Sequence, residues 1–278
     1  MAIVLSLIVA AAFGTGDFFG GLSAKRLHIT QVVGGSHLIG LIGVFLASVL
    51  IDNTFTLADF TIGMAAGAFG ALGVGLLYHG LARGPMSIVA PITAVTSAAV
   101  PATWGVVSGD RFGLLGWIGV AIAFVAIWLT AVAKDDSGAE VNVQVVVEAL
   151  LAGVGFGVFF ILLDFTDGDS APWPIVGARL LSATLIVGWL LANRRQLVPT
   201  DQTSRSLVVL TGIFDTGSNV LFLYALRVGD LTTVSVLTAL YPISTIVLAR
   251  LVLHERMSRP QLFGAGLAMM ATAFIAIG

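Results

Sequence analysis

The chain has 278 residues, 58% of them hydrophobic and 10% charged, with a formal net charge of −2. Ordinary soluble domains carry roughly 25% charged residues, so the composition excludes a water-soluble fold and points to an integral membrane protein whose main partner is the lipid bilayer; no nucleic-acid partner is expected. The absence of cysteine excludes disulfides, thiolate nucleophiles and cysteine metal sites.

Ten apolar runs are predicted to span the membrane as helices, at about 2–23, 31–51, 59–82, 86–108, 112–133, 142–163, 171–192, 206–227, 231–252 and 260–278. About 20 residues rising 1.5 Å each cross the roughly 30 Å of hydrocarbon. Runs such as 114–133 are apolar on every side, without the alternation of a membrane barrel.

The first span lacks the basic n-region of a signal peptide and is expected to be retained. It carries Asp17 on a face shared with Gly14 and Gly21, roughly 12 Å along the helix from Lys25. Glycines admit a neighbouring backbone or a substrate, so an acid on that stripe is a candidate for the translocation path. The second span carries His37, which titrates near neutral pH in water and is a candidate proton relay; a satisfied packing histidine is the alternative. In the third, glycines 63, 67, 70, 73 and 75 read as close helix packing, and His79 as interfacial.

The fourth and ninth spans are interrupted by Pro91, Pro101 and Pro242, which free the carbonyls of Ser87, Ser97 and Thr238. Lipid cannot satisfy those groups, so both helices are expected to be central. Thr93, Thr96 and Trp104 in the fourth, with Ser235, Thr238 and Tyr241 in the ninth, offer hydroxyl and aromatic surface to a small ligand. Ordinary proline kinks with hydroxyls bonded back to the helix explain any one of them equally well.

After the fifth span, Lys134–Glu140 is the longest polar interruption and divides the chain into 1–133 and 142–278. Glu148 and the Asp164, Asp167 and Asp169 group bracket the sixth span and read as a solvated rim. The seventh span carries Arg179, the one strongly basic residue at such depth. The eighth carries Asp215 near its middle, with Thr211, Ser218 and Asn219 one turn away on the same face. A charge there costs about 2.5–3.5 kcal/mol on insertion scales, which makes Asp215 a functional candidate. Two accounts fit it: an ion pair with Arg179, or proton coupling, because burial disfavours the charged form of a carboxylate and lets it load and release a proton.

The two segments are related. Gly84, Asp110-Arg111 and Gly119 match Gly229, Glu255-Arg256 and Gly264 at an offset of 145. Gly35-Ser36-His37-Leu38 matches Gly177-Ala178-Arg179-Leu180 at 142, and Gly14-Thr15-Gly16 matches Gly155-Phe156-Gly157 at 141. In this register Asp215 corresponds to Gly70 and Asp17 to Val158, so the scaffold itself requires neither acid. An odd number of spans per copy inverts the second, giving an all-α membrane protein of ten transmembrane helices in two inverted five-helix repeats.

These units, with Ala225-Leu-Arg-Val-Gly-Asp230, Leu251-Val-Leu-His-Glu-Arg-Met-Ser258 and Leu262-Phe-Gly-Ala-Gly-Leu267, resemble the EamA family of the drug/metabolite transporter superfamily over nearly the whole length. The resemblance implies a secondary transporter, often an exporter of amino acids or other small metabolites. The second span of the repeat often carries arginine in that family; here one copy has His37 and the other Arg179.

Lys25 and Lys134 are the only lysines, and neither lies in a phosphate-binding Gly-x-x-x-x-Gly-Lys loop. No cofactor or ATP site is expected, so a gradient or a partner subunit must supply the energy. No histidine pair has metal-ligand spacing, and no metal is expected. Ten Lys and Arg residues fall in odd-numbered loops, against Arg111 and Arg227 in even ones, which puts both termini outside the cell membrane; the resemblance implies both inside. The sequence thus reads as a proton-coupled exporter of a small metabolite in the inner or plasma membrane, its pathway drawn from Asp17, His37, Arg179, Asp215, Asn219, Thr93, Trp104, Thr238 and Tyr241. The alternatives are a flippase for lipids or lipid-linked sugars, and a non-transporting membrane subunit or intramembrane enzyme.

Overall fold

The computed structural model describes residues 1–107, 113–132, 142–229, 234, 237–254 and 259–277. Among them are ten α-helices and no strand: α1 (Ala2–Ala24), α2 (Ile29–Leu50), α3 (Leu57–Arg83), α4 (Met86–Val107), α5 (Leu114–Val132), α6 (Val143–Asp164), α7 (Trp173–Ala192), α8 (Gln202–Val228), α9 (Pro242–Val252) and α10 (Arg259–Ile277). Six of these, α1, α2, α3, α6, α7 and α8, are long and apolar enough to cross a membrane; the apolar stretches of the other four are shorter. Asp110-Arg111, Lys134–Glu140, Ser235 and Glu255-Arg256 lie outside the described residues.

Helix starts follow local chemistry. Thr56, Asn142 and Asp201 place side-chain oxygens on free backbone N–H groups of α3, α6 and α8. The Ser204 backbone N–H, and then its hydroxyl, hold the Asp201 carboxyl below its usual range. Outward-facing positions carry large exposed apolar side chains such as Val4, Ile8, Phe45, Leu46 and Leu185. Lipid as solvent selects that surface, because only the helical backbone satisfies its own polar groups there.

Proline acts differently in the two predicted interruptions. Pro91 and Pro101 sit inside α4. Pro242 instead begins α9, and the carbonyl expected to be free at Thr238 accepts the Tyr241 N–H at 3.0 Å. The ninth predicted span is therefore not one uninterrupted helix over its described residues. A tightened turn precedes the proline because Pro242 tolerates the first helical position, where its missing N–H costs nothing.

Several of the helix contacts exchange among the described residues: replacing each helix by the one five places along maps α3/α6 onto α8/α1, α3/α7 onto α8/α2 and α4/α6 onto α9/α1, while α2/α7, α4/α9 and α5/α10 map onto themselves; α4/α10 and α1/α3 have no comparable α5/α9 or α6/α8 contact. Glycines make the approaches close. A Cβ on Gly63 or Gly67 of α3 would run into the backbone of Pro174 or Ala178 on α7.

Close approaches by glycine recur on α1 and α6. Gly14 lies on Tyr241 and Ser244 beside α9, whereas Gly153 lies on Thr93 and Thr96 of α4. Gly16 lies on Phe214 and Asp215 of α8, and Gly155 on Phe69 and Gly73 of α3. The Ser244 hydroxyl donates to the Ala10 carbonyl at 3.3 Å, and the Thr93 hydroxyl to that of Ala149 at 3.1 Å. Gly14 and Gly153 therefore face α9 and α4, while Gly16 and Gly155 face α8 and α3.

Gly67→Ala is expected to destabilise the detergent-solubilised protein by about 1–3 kcal/mol through overpacking against α7. Gly75→Ala, with nothing near its new methyl, should leave the thermal unfolding midpoint unchanged or slightly raised. Equal effects of the two would show that α3 and α7 do not pack this closely.

Candidate functional site

Three ionisable residues from three helices meet inside the protein. Arg179 of α7, His37 of α2 and Asp215 of α8 are 3%, 0% and 7% exposed. The Arg179 guanidinium donates from Nη2 to Asp215 Oδ2 at 2.8 Å and from Nε to the Thr216 hydroxyl at 2.9 Å. Its Nη1 lies 3.2 Å from His37 Nε2, and His37 Nδ1 lies 2.8 Å from the Ser182 hydroxyl. Ser182 donates onward to the Ala178 carbonyl at 2.9 Å.

The donors fix the proton positions. Arginine only donates, so His37 Nε2 must accept, and its proton sits on Nδ1 facing Ser182. Asp215 Oδ2 takes the guanidinium, with His37 Nε2 at 3.6 Å, and the Asn219 amide donates to the Asp215 main-chain carbonyl at 2.8 Å and to Oδ1 at 3.4 Å. Charge and hydrogen-bonding capacity are matched within the group, as a buried pair requires. His37 and Arg179 occupy the equivalent positions found in the sequence repeat, and they touch each other where α2 meets α7.

Small residues make the assembly possible. A Cβ on Gly40 would collide with the Thr216 hydroxyl, so that glycine on α2 lets Thr216 reach the guanidinium. Thr211, Ser218 and Asn219 are buried with Asp215 along one side of α8. Thr216 and Ser182 are missing from the sequence-derived site. Thr216 lies off the Asp215 stripe, and nothing in the sequence brings Ser182 to His37.

Asp17 stands apart. It is partly buried, between the buried Gly16 and Phe18. Thr93 is buried and spent on the Ala149 carbonyl, and the Tyr241 hydroxyl reaches the Ala90 carbonyl at 3.5 Å. Thr238 is 3% exposed, and its hydroxyl has no partner among the described residues. Trp104 is 47% exposed with its ring edge-on to Phe165, away from this group.

Glu148 corrects the expectation of a solvated rim: it is 6% exposed. Arg83 of α3 donates to its Oε1 at 3.3 Å, and His79 Nδ1 lies 3.0 Å from Oε2, outside hydrogen-bonding geometry. Position near a span end suggested water, whereas packing of α6 against α3 removes it. Asp164, Asp167 and Asp169 are exposed.

Removing one partner of the Arg179–Asp215 pair is expected to cost about 3–5 kcal/mol, because the other charge stays buried. Asp215→Asn with Arg179→Gln should cost less than the two single variants summed, as read by denaturant unfolding in detergent. Strict additivity would show that the pair is not formed.

Residues 145–277 match the model of the EamA-like transporter family. A putative sugar uptake protein of Enterococcus faecalis is 25% identical over 192 residues, covering 63% of this chain and 64% of that protein, so the match spans less than two thirds of the relative's length. An uncharacterized protein of Methanocaldococcus jannaschii is 23% identical over 138 residues, which are 48% of this chain and 98% of that protein. A protein of known crystal structure shares the fold with a TM-score of 0.64 at 13% identity, covering 98% of this chain and 94% of its own. With its six apolar spans and this match over residues 145–277, a little under half of its length, the chain is a multi-pass membrane protein whose C-terminal portion is similar to the EamA-like transporter family of the drug/metabolite transporter superfamily.

Proposed function

We propose that the protein is a secondary active transporter of ten spans in two inverted five-helix repeats, 1–133 and 142–278, which moves a small metabolite such as an amino acid outward in exchange for protons. The observation that carries this reading is the meeting of His37 and Arg179, equivalent positions of the two copies, at the contact between α2 and α7. The exchange of helix contacts supports the repeat, as does a relative that is spanned almost whole by about half of this chain. Two repeats related in this way can rock about a site between them. The acids on α1 and α8 supply candidate proton carriers at that interface.

A sugar taken inward is the second reading, favoured by the name of the Enterococcus faecalis relative. Proteoliposomes loaded in turn with leucine and with glucose distinguish the two. Leucine efflux accelerated by an inward proton gradient supports the first reading, and proton-driven glucose accumulation supports the second. No gradient-dependent flux of either would remove proton coupling for both solutes.

The excess of Lys and Arg in odd-numbered loops supports an orientation with both termini outside. A single cysteine at position 135, in a chain that otherwise has none, should resist an impermeant thiol reagent in intact cells and react after permeabilisation. Labelling in intact cells would reverse the orientation.

A further inference from the structure

A polar cleft of about 260 Å³ lies where the start of α2 meets the end of α7. Leu190, which lines it, stands roughly 16 Å along α7 from Arg179, so the cleft is separate from the buried ionisable group. Gly34 lets the two helices approach, since a Cβ there would press on Ile186 and Leu190 of α7 and on Leu197 of the loop that follows. The Gln31 side chain ties α2 to that loop by donating to the Gln196 carbonyl at 2.6 Å.

The end of α7 holds an arginine in strained backbone. The Arg194 N–H donates to the Leu191 carbonyl at 3.1 Å and the Arg195 N–H to the Leu190 carbonyl at 2.8 Å. These two bonds make a Schellman ending, whose turning residue is left-handed and most often glycine. Here that residue is Arg194, with φ 50°. A long cationic side chain is therefore kept where glycine fits the backbone better. Arg194 and Arg195 both line the cleft, and among the described residues no carboxylate oxygen lies within 4.0 Å of either guanidinium. On the α2 side His28 caps the helix, its Nδ1 accepting from the Thr30 N–H at 3.4 Å. An accepting Nδ1 leaves the proton of a neutral ring on Nε2, which adds a donor. Apolar surface continues beside these groups. Trp189 is 46% exposed and stacks on His28 with ring centres 6.3 Å apart, and Leu185 and Leu191 are exposed on the same helix. A tryptophan at the end of a spanning helix marks the level of lipid headgroups.

We propose that this cleft binds the headgroup phosphate of an anionic phospholipid, such as phosphatidylglycerol, from the adjoining leaflet. Guanidinium groups pair with phosphate oxygens in a planar, two-pronged fashion, and basic pockets between membrane helices recognise anionic headgroups by this means. Gln31 and Gln196 supply amide groups to the hydroxyls of a glycerol headgroup. A choline headgroup is disfavoured, because its own cation would meet two arginines. The volume fits a headgroup better than a whole solute, whose sites occupy roughly 300–1,000 Å³. A bound phosphate bridges α2 and α7, the helices that carry His37 and Arg179, and so reinforces that contact from its end. This inference goes beyond the transport reading and needs only the membrane spans.

The test measures binding to the purified, delipidated full-length protein in detergent by native mass spectrometry, with phosphatidylglycerol, phosphatidylcholine and glycerol 3-phosphate as ligands. Phosphatidylglycerol should bind saturably and raise the thermal unfolding midpoint, and phosphatidylcholine should bind about tenfold more weakly. Arg194→Gln with Arg195→Gln should weaken phosphatidylglycerol binding about 30-fold, a factor of roughly five for each guanidinium. Arg194→Gly relieves the left-handed backbone, so it should fold at least as stably as the wild type and still bind about fivefold more weakly. That variant separates lost binding from lost folding. Lys25→Gln with Arg26→Gln removes the same charge outside the cleft and should change affinity less than about twofold. Equal losses in the two double variants would overturn the site in favour of diffuse charge attraction, and undiminished binding by Arg194→Gly would overturn it as well. Phosphatidylcholine bound as tightly as phosphatidylglycerol would overturn the anionic headgroup. Glycerol 3-phosphate bound as tightly as the lipid would overturn the lipid source and assign the cleft to a soluble phosphate compound.

Discussion

The contact on which the interior depends is the pair between Arg179 and Asp215. Three helices meet there, α2 through His37, α7 through Arg179 and Ser182, and α8 through Asp215, Thr216 and Asn219. In hydrocarbon an unpaired charge is expensive, so α7 and α8 cannot separate at this depth without exposing both partners. His37 adds direction, because accepting from arginine on one nitrogen obliges it to donate from the other. The result is a polar axis fixed by hydrogen-bond complementarity, surrounded by apolar packing that has no directional preference of its own.

Around that axis the halves are alike in packing and unlike in chemistry. Gly70 of α3 meets the Phe159 ring, where its counterpart on α8 is Asp215. Phe156 rests on Gly73. One side of the molecule is sealed by aromatic rings on glycine, the other equipped with acids. At one end of α3 the His79, Arg83 and Glu148 group ties it to α6, and the equivalent end of α8 has Arg227 over the Tyr224 ring instead. Close glycine packing thus serves both sets of helices, while Asp17 and Asp215 lie on α1 and α8.

The broken passage before Pro242 belongs to the same logic. Tyr241 and Thr245 lie where α1 presents Gly14, and the Thr245 hydroxyl bonds the Gly14 carbonyl at 3.0 Å. Close approach by glycine, a helix restarted at proline and hydroxyls that bind main-chain carbonyls allow irregular backbone inside a membrane protein, and here the freed Thr238 carbonyl accepts the Tyr241 N–H.

Much of this was legible in the residues. Twenty-residue apolar runs dictate membrane helices because hydrocarbon permits nothing else to span it, and rare charges inside those runs advertise Asp17, His37, Arg179 and Asp215 because each is costly to keep. What sequence left undecided is who faces whom. Ion pairing with Arg179 and proton coupling are equally open for Asp215 in the sequence. Glu148 looked solvated because it lies near a span end, and Trp104 looked like part of a cavity because it lies near prolines. Those questions concern distances between helices remote in the chain, and only packing resolves them: a Cβ fits or collides, a guanidinium reaches one carboxylate and not another. Composition and spacing therefore determined that this is a membrane-spanning helical protein with acids at depth. The tertiary structure decided which acid Arg179 neutralises.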